Sequence, residues 1–323
     1  MPFLAKSTYP GAPAWQFNGH LQTVAAGLFR ALPETPYRRE RIETADHDFL
    51  DLDWLENGHH RLVVISHGLE GSTSHAYIRG MAALFAQEGW DVLAWNCRSC
   101  SGEMNRAFRL YHHGDVEDIG TVIHHAIDQQ RYPTIALVGY SMGANITLKY
   151  LGVHGENVPQ AIKTAAVFSA PVQLEEGALV LDRWDNFLYR SRFKRKLSEK
   201  IKAKAVQFPG TLDIEKLAQI KHWRDFDEWF SAPICGYESA EEFYRMASAA
   251  NYLKGIRIPT LLVNAANDPI LTPGCMPSAL AQHHDFFHFE MPHEGGHCGF
   301  QMPKKDVFTW AEYRALEFCE SGM

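Results

Sequence analysis

Uninterrupted apolar runs recur through the middle of the chain, and each ends at a small or polar residue. The runs that we interpret as central strands are residues 62–65, 90–95, 135–138, 165–168 and 260–263. Buried parallel strands have this pattern because both faces of the sheet are covered. Helical spacing between the runs, at residues 78–87, 116–129 and 144–153, then predicts an α/β fold with a mostly parallel central sheet and helices on both faces.

Weaker patterns flank this central set. Residues 38–44 and 49–55 predict an antiparallel hairpin at the sheet edge, 285–291 a last strand and 307–318 a last helix. Residues 173–255 contain no buried strand pattern but do contain helical spacing. We therefore expect a core formed by residues 1–172 and 256–323, and a helical cap insertion, 173–255, over the carboxyl ends of the strands, where open parallel sheets bind ligands.

Composition narrows the classes of partner. A hydrophobic content of 46% suits a globular core, and a formal net charge of -7 argues against nucleic acid as a ligand. No apolar run approaches the roughly 20 residues that span a bilayer, and the first residues do not have the pattern of a signal peptide. We therefore expect no stable membrane insertion. Six cysteines are few for 323 residues, so we expect free thiols, a cytoplasmic location and no metal site. The oligomeric state is left open.

Residues 139–143 read Gly-Tyr-Ser-Met-Gly, between a predicted buried strand and a predicted helix. In that context the serine occupies a strained turn with its hydroxyl above the sheet, although a plain turn serine is the alternative. A serine nucleophile needs a base and an acid, in the order Ser, Asp or Glu, then His for this type of fold. Asp268 and His297 follow the last two predicted strands in that order. We predict that Ser141 is the nucleophile, His297 the base and Asp268 the orienting acid.

Alternatives to the last two residues exist in the sequence. Asp268 also fits an ordinary turn before proline, and His297 is one of 17 histidines. The acids Asp115, Glu117 and Asp118 are rival partners for the base, but they precede the serine and fit the first turn of a helix.

Acyl transfer also requires two hydrogen-bond donors for the oxyanion. We predict the backbone N–H of Met142, which follows the nucleophile, and that of Leu69, which lies in the loop after the first parallel strand. His67, in the same loop, is interpreted as a scaffold residue of that turn.

These segments together resemble the α/β-hydrolase superfamily and, more narrowly, its YheT-like branch of esterases. The residues that carry the resemblance are 18–23 (Asn-Gly-His-Leu-Gln-Thr), 66–71 (Ser-His-Gly-Leu-Glu-Gly), 96–102 with Glu103 and Asn105, 139–143, Asp268 and 296–300 (Gly-His-Cys-Gly-Phe). The resemblance implies serine-dependent ester hydrolysis without a cofactor. Relatives act on medium-chain esters or phospholipids, or catalyse acyl transfer. Ser99 departs from the pattern, since the branch usually has glycine there.

The expected function is a serine carboxylesterase that acts on small-molecule, short- to medium-chain acyl esters through an acyl-enzyme. An acyltransferase or a lipase- or phospholipase-type hydrolase is the alternative, and a non-catalytic ligand-binding protein is a remote one.

Two features of the predicted cap allow two interpretations each. The basic stretch from Arg190 to Lys204 fits the solvated outer face of a helix whose apolar residues pack inward, which we favour, or a peripheral contact with anionic membrane lipid. The aromatic residues fit either an acyl pocket or the core of the cap, and they are Trp223, Phe226, Trp229 and Phe230.

Overall fold

The computed structural model describes residues 3–4, 6–28, 30, 32–304 and 306–322. Within these residues the strands form one sheet. They are β1 (Phe3–Leu4), β2 (Arg38–Glu43), β3 (Phe49–Leu55), β4 (Arg61–Ser66), β5 (Asp91–Asn96), β6 (Thr134–Tyr140), β7 (Ile162–Phe168), β8 (Thr260–Val263) and β9 (Phe287–Glu290). The strand order is β1-β9-β8-β7-β6-β4-β5-β3-β2. Only β3 pairs antiparallel, with β2 and with β5, and every other pair of neighbours in this sheet is parallel.

Helices connect the strands and cover the sheet. The α-helices that the structure describes are α1 (Gly19–Leu28), α2 (Ala76–Gln87), α3 (Val116–Asp128), α4 (Met142–His154), α5 (Leu174–Leu181), α6 (Phe187–Gln207), α7 (Lys216–Gln219), α8 (Trp223–Phe226), α9 (Ala232–Ile234), α10 (Ala240–Ala247), α11 (Ser278–Ala281) and α12 (Trp310–Ser321). Short 3-10 turns occur at Gly155–Asn157, Trp184–Asn186, Ala249–Asn251, Leu253–Gly255 and Pro273–Cys275, and a π-helical turn at Asp227–Ser231. None of the described helices is long and apolar enough to cross a bilayer.

The core lies on both faces of the sheet. On one face, the strands bury their side chains against α3 and α4 through residues such as Ile123 and Leu148. On the other face, α2 and α12 cover the strands with residues such as Phe85 and Ala315. The predicted α/β fold, with a mostly parallel sheet between two layers of helices and a hairpin at its edge, is confirmed.

The terminal elements differ from the sequence prediction. The last helix begins at Trp310 instead of residue 307, because Thr309 and Glu312 form a capping box that fixes its first turn. Strand β1 and helix α1 were not predicted. The buried residues of α1 are Gly19, Gln22, Ala25 and Ala26, which are too small or too polar to give an apolar stripe.

The residues between Leu174 and Gly255 form helices and turns without a strand of the sheet. They lie over the loops that follow three strands: Lys200 Nζ is 2.7 Å from Glu70 Oε1 after β4, Lys204 Nζ is 2.7 Å from the Asn105 carbonyl after β5, and Asn186 Nδ2 is 2.8 Å from the Pro269 carbonyl after β8. We call residues 174–255 the helical segment. The predicted cap boundaries at 173 and 255 stay a prediction.

The two ends of the helical segment lie side by side. The N–H of Ala250 donates to the carbonyl of Val172 at 3.1 Å, and the N–H of Leu174 donates to Ser248 Oγ at 3.1 Å. The chain therefore leaves the core and returns to it at one place.

The basic stretch from Arg190 to Lys204 is not a uniformly solvated face. Lys204 is fully buried, and its Nζ also donates to the Ala107 carbonyl. Phe193, Leu197 and Ile201 face the interior, as predicted. The inward side of α6 thus carries both apolar and charged side chains.

Candidate active site

A sharp turn joins β6 to α4 and carries Ser141. The backbone of Ser141 has φ 53° and ψ -119°, on the left-handed side that residues with a Cβ rarely adopt. A Cβ at Gly139 would lie 2.6 Å from the Gly143 carbonyl oxygen, and one at Gly143 would lie 2.4 Å from the Ser66 carbonyl oxygen. Only glycine fits at these two positions, so the motif is required by the close approach of strand and helix.

The three side chains predicted to act together lie in one hydrogen-bonded series. His297 Nε2 is 2.8 Å from Ser141 Oγ, and His297 Nδ1 is 2.8 Å from Asp268 Oδ2. The other carboxylate oxygen, Oδ1, accepts from the N–H groups of Ile270 at 2.9 Å and Leu271 at 3.3 Å. Because an ionised carboxylate only accepts, Nδ1 carries the imidazole proton and Nε2 is the acceptor that faces the serine hydroxyl.

The electrostatics of this series favour proton uptake by His297. The Asp268 side chain is fully buried and that of His297 is 10% exposed. Burial disfavours the charged imidazolium, but the facing Asp268 carboxylate outweighs this effect and raises the pKa of His297 well above its usual value. The site therefore stabilises the imidazolium that forms when a serine proton is taken.

Two hydroxyl groups hold the loop that carries His297. The N–H of His297 donates to Thr23 Oγ1 in α1, and the N–H of Cys298 donates to Ser169 Oγ, each at 2.9 Å. Sequence reasoning missed Thr23 and Ser169. The one sequence feature that pointed to Thr23 was its place in residues 18–23, which resemble the family pattern but had no predicted role.

The loop after β4 passes directly beside the nucleophile. A Cβ at Gly68 would lie 3.0 Å from Ser141 Cβ, so the neighbouring Leu69 N–H is close to the serine. The Met142 N–H is at the first position of α4, where a helix supplies no acceptor of its own. Met142 adjoins Ser141 in the chain and Leu69 lines the same cavity as Ser141, and the role of their N–H groups as oxyanion donors stays a prediction.

His67 fixes the start of this loop. The N–H of Cys97 donates to His67 Nε2 at 3.0 Å, so Nδ1 carries the proton and donates to the Gly68 carbonyl at 2.7 Å. Burial lowers the pKa of His67 to about 4, which keeps the ring neutral at physiological pH. The contacts are those of a scaffold residue, in agreement with the interpretation from sequence.

The rival acids lie in a different cluster. Asp115 caps α3 and forms an ion pair with Arg109 at 3.0 Å, and Asp118 forms one with Arg98 at 2.8 Å. Glu117 is 3.6 Å from Arg109. The contacts of His297 are with Asp268 instead, as the predicted order required.

A cavity of about 1010 Å³, including its open mouth, is lined by Ser141 and His297 and by residues of the helical segment. Its lining is mainly apolar and includes Leu174, Ala178, Leu181, Phe193, Leu197, Ile201, Trp223, Phe226, Ile234 and Phe243. Of the four aromatic residues with two interpretations, Trp223 and Phe226 line the cavity, whereas Trp229 and Phe230 belong to an apolar cluster beside it. The apolar lining of the cavity suits a hydrocarbon chain.

A buried ion pair ties one wall of this cavity to the loop beside Ser141. Glu70, with φ 53°, accepts from Lys200 Nζ at 2.7 Å and also from the Tyr111 hydroxyl. Its carbonyl accepts from Lys196 Nζ at 3.2 Å. The Lys200 and Glu70 side chains are only 12% and 6% exposed. Helix α6 thus contacts the residue that directly follows Leu69.

Among the described residues, no group of three or more His, Cys, Asp or Glu side chains is placed to hold a metal ion. The hydrogen-bonded series from Ser141 to Asp268 is suited to nucleophilic and acid–base chemistry next to an apolar cavity.

Comparison with known proteins places this geometry in a family. The family model of the α/β hydrolase fold matches residues 61–300. YheT of Escherichia coli (strain K12), whose name describes an esterase, is 33% identical over 290 residues, which are 88% of this chain and 84% of that protein. Phospholipase ABHD3 of Mus musculus is 28% identical over 93% of this chain and 74% of its own length.

Two further matches extend the comparison. Medium-chain fatty acid ethyl ester synthase/esterase 2 of Saccharomyces cerevisiae is 27% identical over 90% of this chain and 67% of its own length. Among solved structures, an esterase of Pyrococcus furiosus superposes with a TM-score of 0.59 at 18% identity, over 91% of this chain and 98% of that one, a likeness of fold. The chain therefore belongs to the α/β-hydrolase family, in its YheT-like branch of esterases.

Proposed function

We propose that the chain is a serine carboxylesterase that hydrolyses short- to medium-chain acyl esters through an acyl-enzyme. The observation that carries the proposal is the continuous series Ser141–His297–Asp268, with 2.8 Å between each pair of heavy atoms, at the inner end of an apolar cavity. Hydrogen-bonded nucleophile, base and orienting acid beside a substrate-sized cavity are the geometric criteria for this chemistry.

In the first step, Ser141 Oγ attacks the ester carbonyl and His297 Nε2 takes the hydroxyl proton. Asp268 stabilises the imidazolium, and the N–H groups of Leu69 and Met142 donate to the oxyanion. His297 then passes the proton to the leaving alcohol, which gives the acyl-enzyme. Water repeats the sequence and releases the carboxylic acid, so the reaction needs no cofactor.

The acyl chain occupies the cavity between the helices of residues 173–255, which act as a cap. Phe193, Leu197 and Ile201 line the cavity from α6, and Trp223 and Phe226 line it from α8. The names of two relatives, a phospholipase and an ethyl ester synthase/esterase, support phospholipid hydrolysis or acyl transfer on the same triad as the second candidate function.

The test is hydrolysis of p-nitrophenyl esters from acetate to palmitate by wild type and Ser141→Ala. We expect an optimum at one chain length and a loss of about 10⁶-fold in kcat in the variant, as for nucleophile removal in other serine hydrolases. Equal activity in folded Ser141→Ala contradicts the proposal. No turnover at any length by folded wild type supports the ligand-binding alternative, and an ethyl ester product in the presence of ethanol supports acyl transfer.

A further inference from the structure

Large apolar side chains are exposed in two segments, one from the end of α5 to the start of α6 and the other just before α1. The exposed fractions are 88% for Trp184, 78% for Phe17, 75% for Leu188, 66% for Leu179 and 55% for Phe187. A contiguous apolar patch on the surface of a folded protein usually marks a binding surface. We call these five residues the apolar face.

The two segments that carry the apolar face contact each other. The rings of His20 and Tyr189 stack with 5.7 Å between their centroids, and His20 Nδ1 is 3.3 Å from the Tyr189 hydroxyl. His20 is three residues after Phe17, and Tyr189 directly follows Leu188. The exposed residues of both segments therefore belong to one region of the surface.

This region lies next to the candidate active site. Asn186, between Trp184 and Phe187, donates to the carbonyl of Pro269, the residue after Asp268, at 2.8 Å. The same elements line the cavity with their other side, through Ala178 and Leu181 of α5 and Phe193 of α6.

The charges around the apolar face suit an anionic surface. Residues 174–196, which carry four of its five members, leave an excess of two positive charges on a chain of net charge -7. The basic residues of this stretch are Arg183, Arg190, Arg192, Lys194, Arg195 and Lys196, and the acidic ones are Glu175, Glu176, Asp182 and Asp185. Anionic lipid head groups complement this excess, whereas a second copy of the chain would bring the same positive charges to the contact. Tryptophan and arginine beside exposed aliphatic residues are the composition of an interfacial anchor.

We propose that the apolar face docks on the interface of an anionic lipid bilayer and places the cavity where acyl esters leave the lipid. Trp184, Phe187 and Leu188 enter the head-group region, and Arg192 and Arg195 contact its phosphates. The docking contact does not depend on the proposed esterase reaction. The delivery of ester substrate from the bilayer does rest on it.

Co-sedimentation with phosphatidylcholine vesicles, with and without about 30% phosphatidylserine, tests the contact. All proteins carry Ser141→Ala, so that binding is measured without turnover. We expect preferential binding to the anionic vesicles and at least a roughly tenfold weaker affinity for Trp184→Ser/Phe187→Ser. Arg192→Gln/Arg195→Gln is expected to remove the preference for phosphatidylserine. The matched control is Val206→Ser, which changes an 80% exposed residue at the other end of α6 and is expected to bind like the parent.

Two results overturn the proposal: no binding of the parent to anionic vesicles, or equal binding by Trp184→Ser/Phe187→Ser. A dimer in analytical ultracentrifugation that dissociates on this substitution also overturns it, in favour of a second copy as the occupant. Hydrolysis of a water-soluble acetate ester by the same substitutions in the active chain is expected to be unchanged. That assay reports on the proposed function alone, so failure of docking and failure of catalysis are distinguishable.

Discussion

The sheet and the helical segment hold their residues in place by different means. Ser141, Asp268 and His297 follow the strands β6, β8 and β9, and the strands themselves are buried between two apolar layers. The helical segment lies outside the sheet and packs on the loops that follow the strands. Its contacts there are apolar, with residues such as Leu110 and Ile270, and polar, through groups such as Lys200 and Asn186.

Because of this difference, we expect the sheet to determine the reaction rate and the helical segment to determine the substrate preference. Ser141, Asp268 and His297 are positioned by the ends of strands within the sheet, whereas most of the cavity wall comes from helices outside it. Substitutions at the strand ends should therefore affect every ester alike, and substitutions in the helical segment should alter which ester is preferred.

Among substitutions that keep the nucleophile, the largest effect is expected for Asp268→Asn. The neutral amide no longer stabilises the imidazolium or the required tautomer, so kcat should fall about 10⁴-fold for every chain length. The base acts only when His297 is neutral, and the Asp268 carboxylate raises the pKa of His297. Its removal lowers that pKa, and the acid limb of the kcat/KM profile should move to lower pH. A profile that keeps its midpoint in Asp268→Asn contradicts the assigned pairing.

A smaller effect is expected for Lys200→Met, which leaves the Glu70 carboxylate without its ammonium partner. Breaking such a buried pair costs roughly 3 kcal/mol of unfolding free energy, measured by urea denaturation, and kcat should fall by about tenfold or more as the loop of Leu69 loses its support. Lys202→Met is the matched control, because Lys202 is exposed on the same helix. The double variant Lys200→Met/Glu70→Gln should recover part of the stability. Additive losses in the double variant argue against a coupled pair.

The smallest effect on rate, with the clearest effect on selectivity, is expected for Phe226→Ala. The enlarged cavity should accommodate a longer acyl chain and raise the ratio of kcat/KM for long over short esters by about tenfold. Trp229→Ala removes an aromatic ring beside the cavity instead of in its wall, and it should leave the ratio unchanged. An unchanged ratio in Phe226→Ala shows that the acyl chain lies elsewhere.

Local sequence patterns predicted the parts of the molecule that depend on local rules. Strands β4 to β8 appear as apolar runs because both faces of each are covered, and Ser141 was recognised from its flanking glycines and its place between strand and helix. Asp268 and His297 followed from their order in the chain. These patterns identified the three residues of the proposed triad, but not the residues that hold them in place.

The supporting contacts could not be predicted, because they join residues that are far apart in the sequence. Lys200 and Glu70 are 130 residues apart, and nothing in either neighbourhood indicates a buried pair, so the basic stretch was interpreted as a solvated face. Thr23 holds the His297 loop from a helix without an apolar stripe.

Ser99 departs from the branch pattern, yet the structure accommodates it. Its φ of 61° is the left-handed value that favours the glycine usual there. Ser99 Oγ donates to Asn105 Oδ1 at 2.7 Å and accepts from the Asn105 N–H at 3.0 Å. The side chain of Ser99 thus stabilises a backbone conformation that only glycine adopts readily.

The hydrogen bond between Ala250 and Val172 closes the helical segment at its base. An insertion whose two ends meet can be lengthened, shortened or exchanged without altering the distance that the core must span. Ser141 precedes the helical segment and Asp268 and His297 follow it, so all three residues lie on the core. A different helical segment could therefore be joined at the same two neighbouring places without moving the residues that we propose to react.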